Sequence, residues 1–153
     1  MDDRVRLSSI LQGLGRVSRH FKMPIIFPAH PRTVKMLKRF GLSLPQGVEA
    51  HPPAGFMDFL RLEAAARLIL TDSGGVQEEA CILRVPCVTL RTSTERPETA
   101  AAGGNVIAGY RPADILKAAI RMMHADRRWK NPFGDGLASE RILRIVESRA
   151  QAG

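Results

Sequence analysis

Ile69-Leu70-Thr71-Asp72-Ser73-Gly74-Gly75-Val76-Gln77-Glu78-Glu79-Ala80 changes character in its middle. The first residues continue an apolar run, Leu68-Ile69-Leu70, with the length and composition of a buried strand. That run stops at Asp72-Ser73-Gly74-Gly75, and a helical pattern starts at once. A strand that breaks into small residues at a helix start makes an anion site. The unpaired N–H groups of the first turn and the positive end of the helix dipole face one point. Glycine lets a phosphate approach the backbone without meeting a Cβ. Glu78 and Glu79 then follow on the helix itself. A phosphate site with a carboxylate one to two turns behind it suggests a sugar nucleotide, with the diphosphate at the helix tip and ribose hydroxyls on the carboxylate.

Short apolar strands and longer helices alternate on both sides of this stretch. The periodicity predicts helices over 5–21, 31–40, 55–66, 74–83, 111–124 and 137–150. Strands are expected over 24–28, 47–50, 68–70, 86–90 and 105–108, with a polar loop over 91–97. This alternation implies an α/β fold, a parallel sheet with helices on both faces. In such sheets the ligand lies beyond the carboxyl ends of the strands. His30, the Asp72–Gly75 turn and the 91–98 segment all follow strands, so they are expected to converge on one crevice.

Length and composition narrow the function. The 153 residues suffice for one domain with a core, and 44% hydrophobic with 25% charged residues is ordinary for a globular protein. No apolar run approaches the roughly 20 residues that span a bilayer, and the first residues lack the apolar core of a signal peptide. A cytoplasmic protein without membrane association is expected. The net charge of +8 raises nucleic-acid binding. However, the basic residues are scattered from Arg4 to Arg149, and one Tyr and one Trp offer no stacking platform. A cleft for a nucleotide diphosphate accounts for part of the excess, and no nucleic-acid partner is expected. Cys81 and Cys87 form neither a disulfide framework nor a metal pattern and are expected to be small buried hydrophobes. No metal or cofactor is implied.

Several strings together carry a family resemblance. Thr71–Ala80, then Pro86, then Thr94-Glu95-Arg96-Pro97-Glu98 resemble the non-hydrolysing UDP-N-acetylglucosamine 2-epimerases. Pro28-Ala29-His30-Pro31 matches a His-Pro after an early strand, and Gly134-Asp135-Gly136-Leu137-Ala138 resembles the string that opens the family's last helix. Order and spacing agree across nearly the whole chain. The resemblance implies one Rossmann-like half of a two-domain GT-B-type fold. Residues 1–153 would be the C-terminal, UDP-binding domain. A histidine-bearing segment and one strand ahead of Asp2 and Asp3, together with the N-terminal catalytic domain, would be absent. Family members form homodimers, largely through that absent half.

The resemblance also assigns roles. Ser73, Gly74 and Gly75 would hold the diphosphate, Arg96 would pair with it across the crevice, and Glu79 would accept the ribose hydroxyls. Phe59 would pack near uracil, and His30 would lie at the nucleotide-sugar cleft. The competing structural roles are an N-cap for Ser73, a surface carboxylate for Glu79, a loop ion pair with Glu95 or Glu98 for Arg96, core packing for Phe59 and a turn for His30. Glu78, offset by about 100° on the helix, is expected to meet solvent. Ala54 stands where the family has a base-contacting glutamine.

Family members interconvert UDP-GlcNAc and UDP-ManNAc by eliminating UDP and adding it back. The carboxylates that act as acid and base come from the other domain. This chain is therefore expected to bind UDP or UDP-GlcNAc, to contain no catalytic acid or base, and to lack turnover alone. Arg96 would stabilise the leaving group. A glycosyltransferase half-domain and a non-catalytic sugar-nucleotide-binding protein are the alternatives.

Overall fold

The computed structural model describes residues 3–150; Met1, Asp2 and residues 151–153, with the expectations attached to them, lie outside this range. The chain opens with α1 (Arg4–Phe21). The Asp3 carboxylate accepts from the Arg6 N–H at 2.9 Å, an N-cap that satisfies one orphan donor of the first turn. Then come β1 (Ile25–Pro28), α2 (Pro31–Phe40), β2 (Val48–His51) and α3 (Phe56–Ala65). The second part is β3 (Ile69–Thr71), α4 (Gly74–Ile82), β4 (Cys87–Thr89), α5 (Pro97–Ala101), β5 (Asn105–Ile107), α6 (Pro112–Met123) and α7 (Ala138–Ala150). Pro31, Pro97 and Pro112 each stand in a helix's first turn, where a missing N–H costs nothing.

Among the described residues all strand pairing is parallel, but the expected single sheet forms two pieces. β1 pairs with β2, Ile25 opposite Val48, and β3, β4 and β5 pair in that order, Ile69 opposite Cys87 and Cys87 opposite Asn105. The Ile25 N–H bonds to the Gly47 carbonyl and the Ile69 N–H to the Pro86 carbonyl. Successive residues of a strand address opposite sides, so the backbone groups of Ile26 and Leu70 turn away from β2 and β4. They face a cavity of about 630 Å³ lined by β1, β3, the inner face of α1 and part of α3. Nothing among the described residues bridges β1 and β3 there, and this is why one sheet appears as two.

The main core joins α1 to α6 and the sheet. Ile10, Leu14 and Val17 meet Ile115, Ala119 and Met122 over Val88 and Leu90. Gly13 sits against α6 with no room for a side chain: a Cβ built there would lie 2.7 Å from Ile115 Cδ1. A smaller core of Ile69, Ala80, Val85 and Cys87 holds α4 against β3 and β4. That packing fixes the helix whose tip carries the Ser-Gly-Gly turn. Cys81 and Cys87 are free and buried, as expected from their apolar surroundings. Burial pushes the Cys87 thiol up to about 12 and raises that of Cys81.

Candidate functional site

Ser73 is the N-cap residue of α4, with φ −88° and ψ 131°. Its N–H donates to Thr71 Oγ1 at 3.0 Å, which sets the chain's exit from β3. Its hydroxyl makes no capping bond, so the first-turn N–H groups of α4 are left pointing outward. Gly74 and Gly75 open the helix with φ outside the left-handed region. A Cβ on Gly74 would lie 3.8 Å from Glu95 Oε2 and 3.9 Å from Arg96 Cγ; one on Gly75 would lie 3.9 Å from Ser73 Oγ. These are ordinary contacts. Neither turn geometry nor packing within the chain calls for glycine at either position.

A buried polar network ties this helix tip to the 91–96 loop. Gln77 is 0% exposed; its Nε2 donates to the Ser73 carbonyl at 3.1 Å. Gln77 Oε1 accepts from Thr94 Oγ1 at 2.5 Å and from Asn105 Nδ2 at 3.2 Å. Asn105 also donates to Thr99 Oγ1 at 3.0 Å and accepts from Thr89 Oγ1 at 2.9 Å. Thr94 Oγ1 accepts from the Arg96 N–H at 2.9 Å, and Thr99 Oγ1 donates to the Arg96 carbonyl at 2.7 Å. The backbone of Arg96 is thus held on both sides. A fully satisfied buried network of this kind specifies one arrangement, because each broken bond would strand a desolvated group. Gln77 and Thr94 lie inside strings already singled out, but their role was missed. The signal was a cluster of amide and hydroxyl side chains inside otherwise apolar elements.

Arg96 stands beside Gly74. Its side chain ion-pairs with Glu78, and Arg96 Nη1 donates to the Glu95 carbonyl at 3.0 Å. The expectation that Glu78 meets solvent holds only in part: its side chain remains 34% exposed, but the 91–96 loop folds over the first turns of α4 and brings the guanidinium onto that carboxylate. The alternative partner Glu95 instead pairs its carboxylate with Arg91 at 3.1 Å.

His30, Phe59 and Ser73 line the same cavity between the sheets, so segments distant in sequence do converge at the strand ends. His30 also caps α2, its Nδ1 accepting from the Arg32 N–H at 3.2 Å; the turn role and a ligand role coexist. Phe59 is half-buried on the wall of α3, not in a core cluster. Glu79 turns toward α3, where it meets Glu63. The Glu63 side chain was not anticipated by the sequence. It is 4% exposed and lines the cavity, and among the described residues no hydrogen-bond donor reaches either carboxylate oxygen. Burial, with Glu79 adding to it, raises its pKa to about 7. Gly74, Gly75 and Arg96 gather around the helix tip next to Ser73 and do not line the cavity.

Comparison with known proteins places this geometry in a family. The chain is 47% identical over 150 residues to the UDP-N-acetylglucosamine 2-epimerase of Methanocaldococcus jannaschii, covering 95% of this chain and 41% of that protein. It is 37% identical over 146 residues to the UDP-2,3-diacetamido-2,3-dideoxy-D-glucuronate 2-epimerase of Pseudomonas aeruginosa, covering 95% and 40%. The crystal structure of the M. jannaschii UDP-GlcNAc 2-epimerase in complex with UDP-GlcNAc and UDP superposes with a TM-score of 0.89, over 96% of this chain and 42% of that one. The Neisseria meningitidis UDP-GlcNAc 2-epimerase bound to UDP-GlcNAc does so with 0.75 at 28% identity, over 93% and 41%. The chain thus spans about two fifths of the length of these relatives and has the Rossmann-like architecture of one half of their GT-B-type fold. The UDP-N-acetylglucosamine 2-epimerase family model matches residues 1–147, and with a helix-tip turn, a guanidinium beside it and relatives that agree over nearly every element, the chain belongs to that family.

Proposed function

We propose that this chain is the UDP-holding half of a UDP-GlcNAc 2-epimerase. The observation that carries the reading is the pair of glycines at the tip of α4, whose missing side chains serve nothing within the chain. With the Ser73 hydroxyl free of a capping bond and the Arg96 guanidinium held beside Gly74, donors and positive charge gather at one point. A diphosphate docked there would receive N–H groups of the first turn, the Ser73 hydroxyl and Arg96 once it exchanges Glu78 for phosphate. Glu79 would take the ribose hydroxyls and Phe59 the uracil. Donors aimed at the diphosphate stabilise the charge that builds as UDP departs from the sugar.

The acid and base of the reaction are proposed to come from a preceding half. Two features fit such a neighbour. The free edges of β1 and β3 flank a cavity that an extended apolar segment would fill, turning two sheets into one in the strand order of a doubly-wound fold. α7 buries none of its residues, and Ile142, Ile145 and Val146 lie on one exposed face. Relatives acting on different sugars share the UDP group in their names, which fits a chain that reads the nucleotide and leaves the sugar to its partner half. Homodimer formation would likewise lie with the partner half. Two buried, unpaired thiols suit a reducing, cytoplasmic setting.

Calorimetry with UDP tests the site. Binding is expected, weakened about tenfold or more by Ser73→Ala and by Arg96→Ala, each removing a hydrogen bond to a charged group. No heat at millimolar UDP would refute the reading, and turnover of UDP-GlcNAc by the 153-residue chain alone would refute the division of labour.

A further inference from the structure

Glu63 poses a question the proposed UDP site does not answer. A carboxylate whose two oxygens are both buried and reached by no donor is among the costlier things a protein can contain, unless it holds a proton. Its neighbour is another acid. Glu63 on α3 faces Glu79 on α4 within hydrogen-bonding reach, and two ionised carboxylates cannot hydrogen-bond to each other. One proton resolves both problems: a neutral Glu63 donates its O–H to a Glu79 oxygen. The place matters too. Glu63 lies one helical turn beyond Phe59, and both line the cavity shared with His30 and Ser73. The remaining groups around Glu63 do not supply a donor. The Cys87 thiol on β4 stays neutral and makes no hydrogen bond to either Glu63 oxygen; His30, Arg67 and Asp72 line the same cavity without reaching those oxygens.

We propose that Glu63 is a positioning residue for the sugar-nucleotide site, carrying a proton that it donates to Glu79 and so holding the Glu79 carboxylate in the orientation that receives the ribose hydroxyls. The inference rests on the proposed role of Glu79 in the UDP site and adds a regulation to it. When Glu63 loses its proton, the two carboxylates repel, Glu79 turns away and nucleotide affinity falls. Ligand binding must then draw a proton back onto Glu63.

The test is calorimetry of UDP-GlcNAc binding to the 153-residue chain between pH 6 and 8. Esterified at both ends, this diphosphate lacks the secondary ionisation that a terminal phosphate has near pH 6. With Glu63 titrating at about 7, the competent fraction and hence the affinity should fall about tenfold across this range. At the upper end, binding measured in two buffers of different ionisation enthalpy should show uptake of close to one proton per ligand, by linkage. Glu63→Gln keeps a donor toward Glu79, so it should bind as the parent does at pH 6, without the parent's tenfold fall and with close to one proton less taken up at pH 8. Glu63→Leu, which has no donor, should bind several-fold more weakly at pH 6. His30 is present in every chain, so any contribution it makes cancels in the comparison. Equal pH profiles for the parent and Glu63→Gln, or no proton uptake by the parent, would overturn the inference while leaving the UDP site standing. No binding by the parent at any pH would overturn the UDP site, and this inference with it.

Discussion

Gly75→Ala separates a glycine that serves the fold from one that serves a ligand. Among the described residues the side-chain atom near a Cβ at this position is Ser73 Oγ at 3.9 Å, and φ is in the range any residue adopts. The added methyl therefore fits. Alanine favours a helix over glycine by about 1 kcal/mol in its interior and less in the first turn, so a gain of about 0.5 kcal/mol is expected. For a domain of this size that raises the midpoint of thermal unfolding by roughly 1–2 °C. Affinity should move the other way. The methyl projects into the space from which a diphosphate would reach the first-turn N–H groups, and losing one charge-assisted hydrogen bond costs about 1.5–3 kcal/mol, or roughly 10- to 100-fold in Kd. Thermal unfolding and calorimetry with UDP on the same preparation measure both. Unchanged UDP affinity would refute the reading of the glycine pair as an approach for phosphate. A loss of stability above about 1 kcal/mol would show a packing role that the contacts do not reveal.

Three further outcomes follow from the packing and the polar network. Asn105→Leu removes three side-chain hydrogen bonds from a residue 5% exposed and strands Thr89, Thr99 and Gln77; denaturant unfolding should show a loss of about 3 kcal/mol, and UDP affinity should fall as the Arg96 backbone loosens. Gly13→Ala forces a Cβ to 2.7 Å from Ile115, a stiff β-branched side chain at 0% exposure, and should cost about 1–3 kcal/mol without direct effect on UDP. Glu63 should make stability depend on pH. Its folded-state pKa of about 7 lies above its ordinary value of 4.5, so the folded chain binds the proton more tightly than the unfolded one. This contribution is complete below about pH 4.5 and is lost as pH rises through 7, up to about 3 kcal/mol in all, and Glu63→Gln should flatten that part of the profile.

Much of the fold is legible in the sequence. Each expected helix and strand is present within a residue or two, because the markers were local: Pro31 and Gly41 bracket α2, and apolar spacing marks α1 and α6. The convergence of His30 and Ser73 was legible from a topological rule, since strand ends of a parallel sheet meet on one side. The pairing of Glu78 with Arg96 was not. A helical wheel assigns a carboxylate to solvent when nothing in its own helix covers it, and the cover here is a loop 18 residues further on, folded back over α4. Glu63 was invisible for a related reason. An acid at the end of an amphipathic helix pattern is ordinarily exposed, and its burial here comes from segments that only the fold brings onto α3.

The sequence by itself determined the kind of protein this is: the order of the elements, the helix-tip turn for an anion and the family. All of these depend on short-range spacing, which the chain carries whatever its neighbours do. Only the tertiary structure decided what surrounds the Ser73-Gly74-Gly75 turn. It showed that the glycines have room for side chains they do not possess, that Gln77 and Asn105 brace Arg96, and that Glu79 faces a second, buried acid. Burial and hydrogen-bond satisfaction depend on which segments meet in space, and residues as far apart as Gln77 and Asn105 acquire their chemistry only when the fold brings them together.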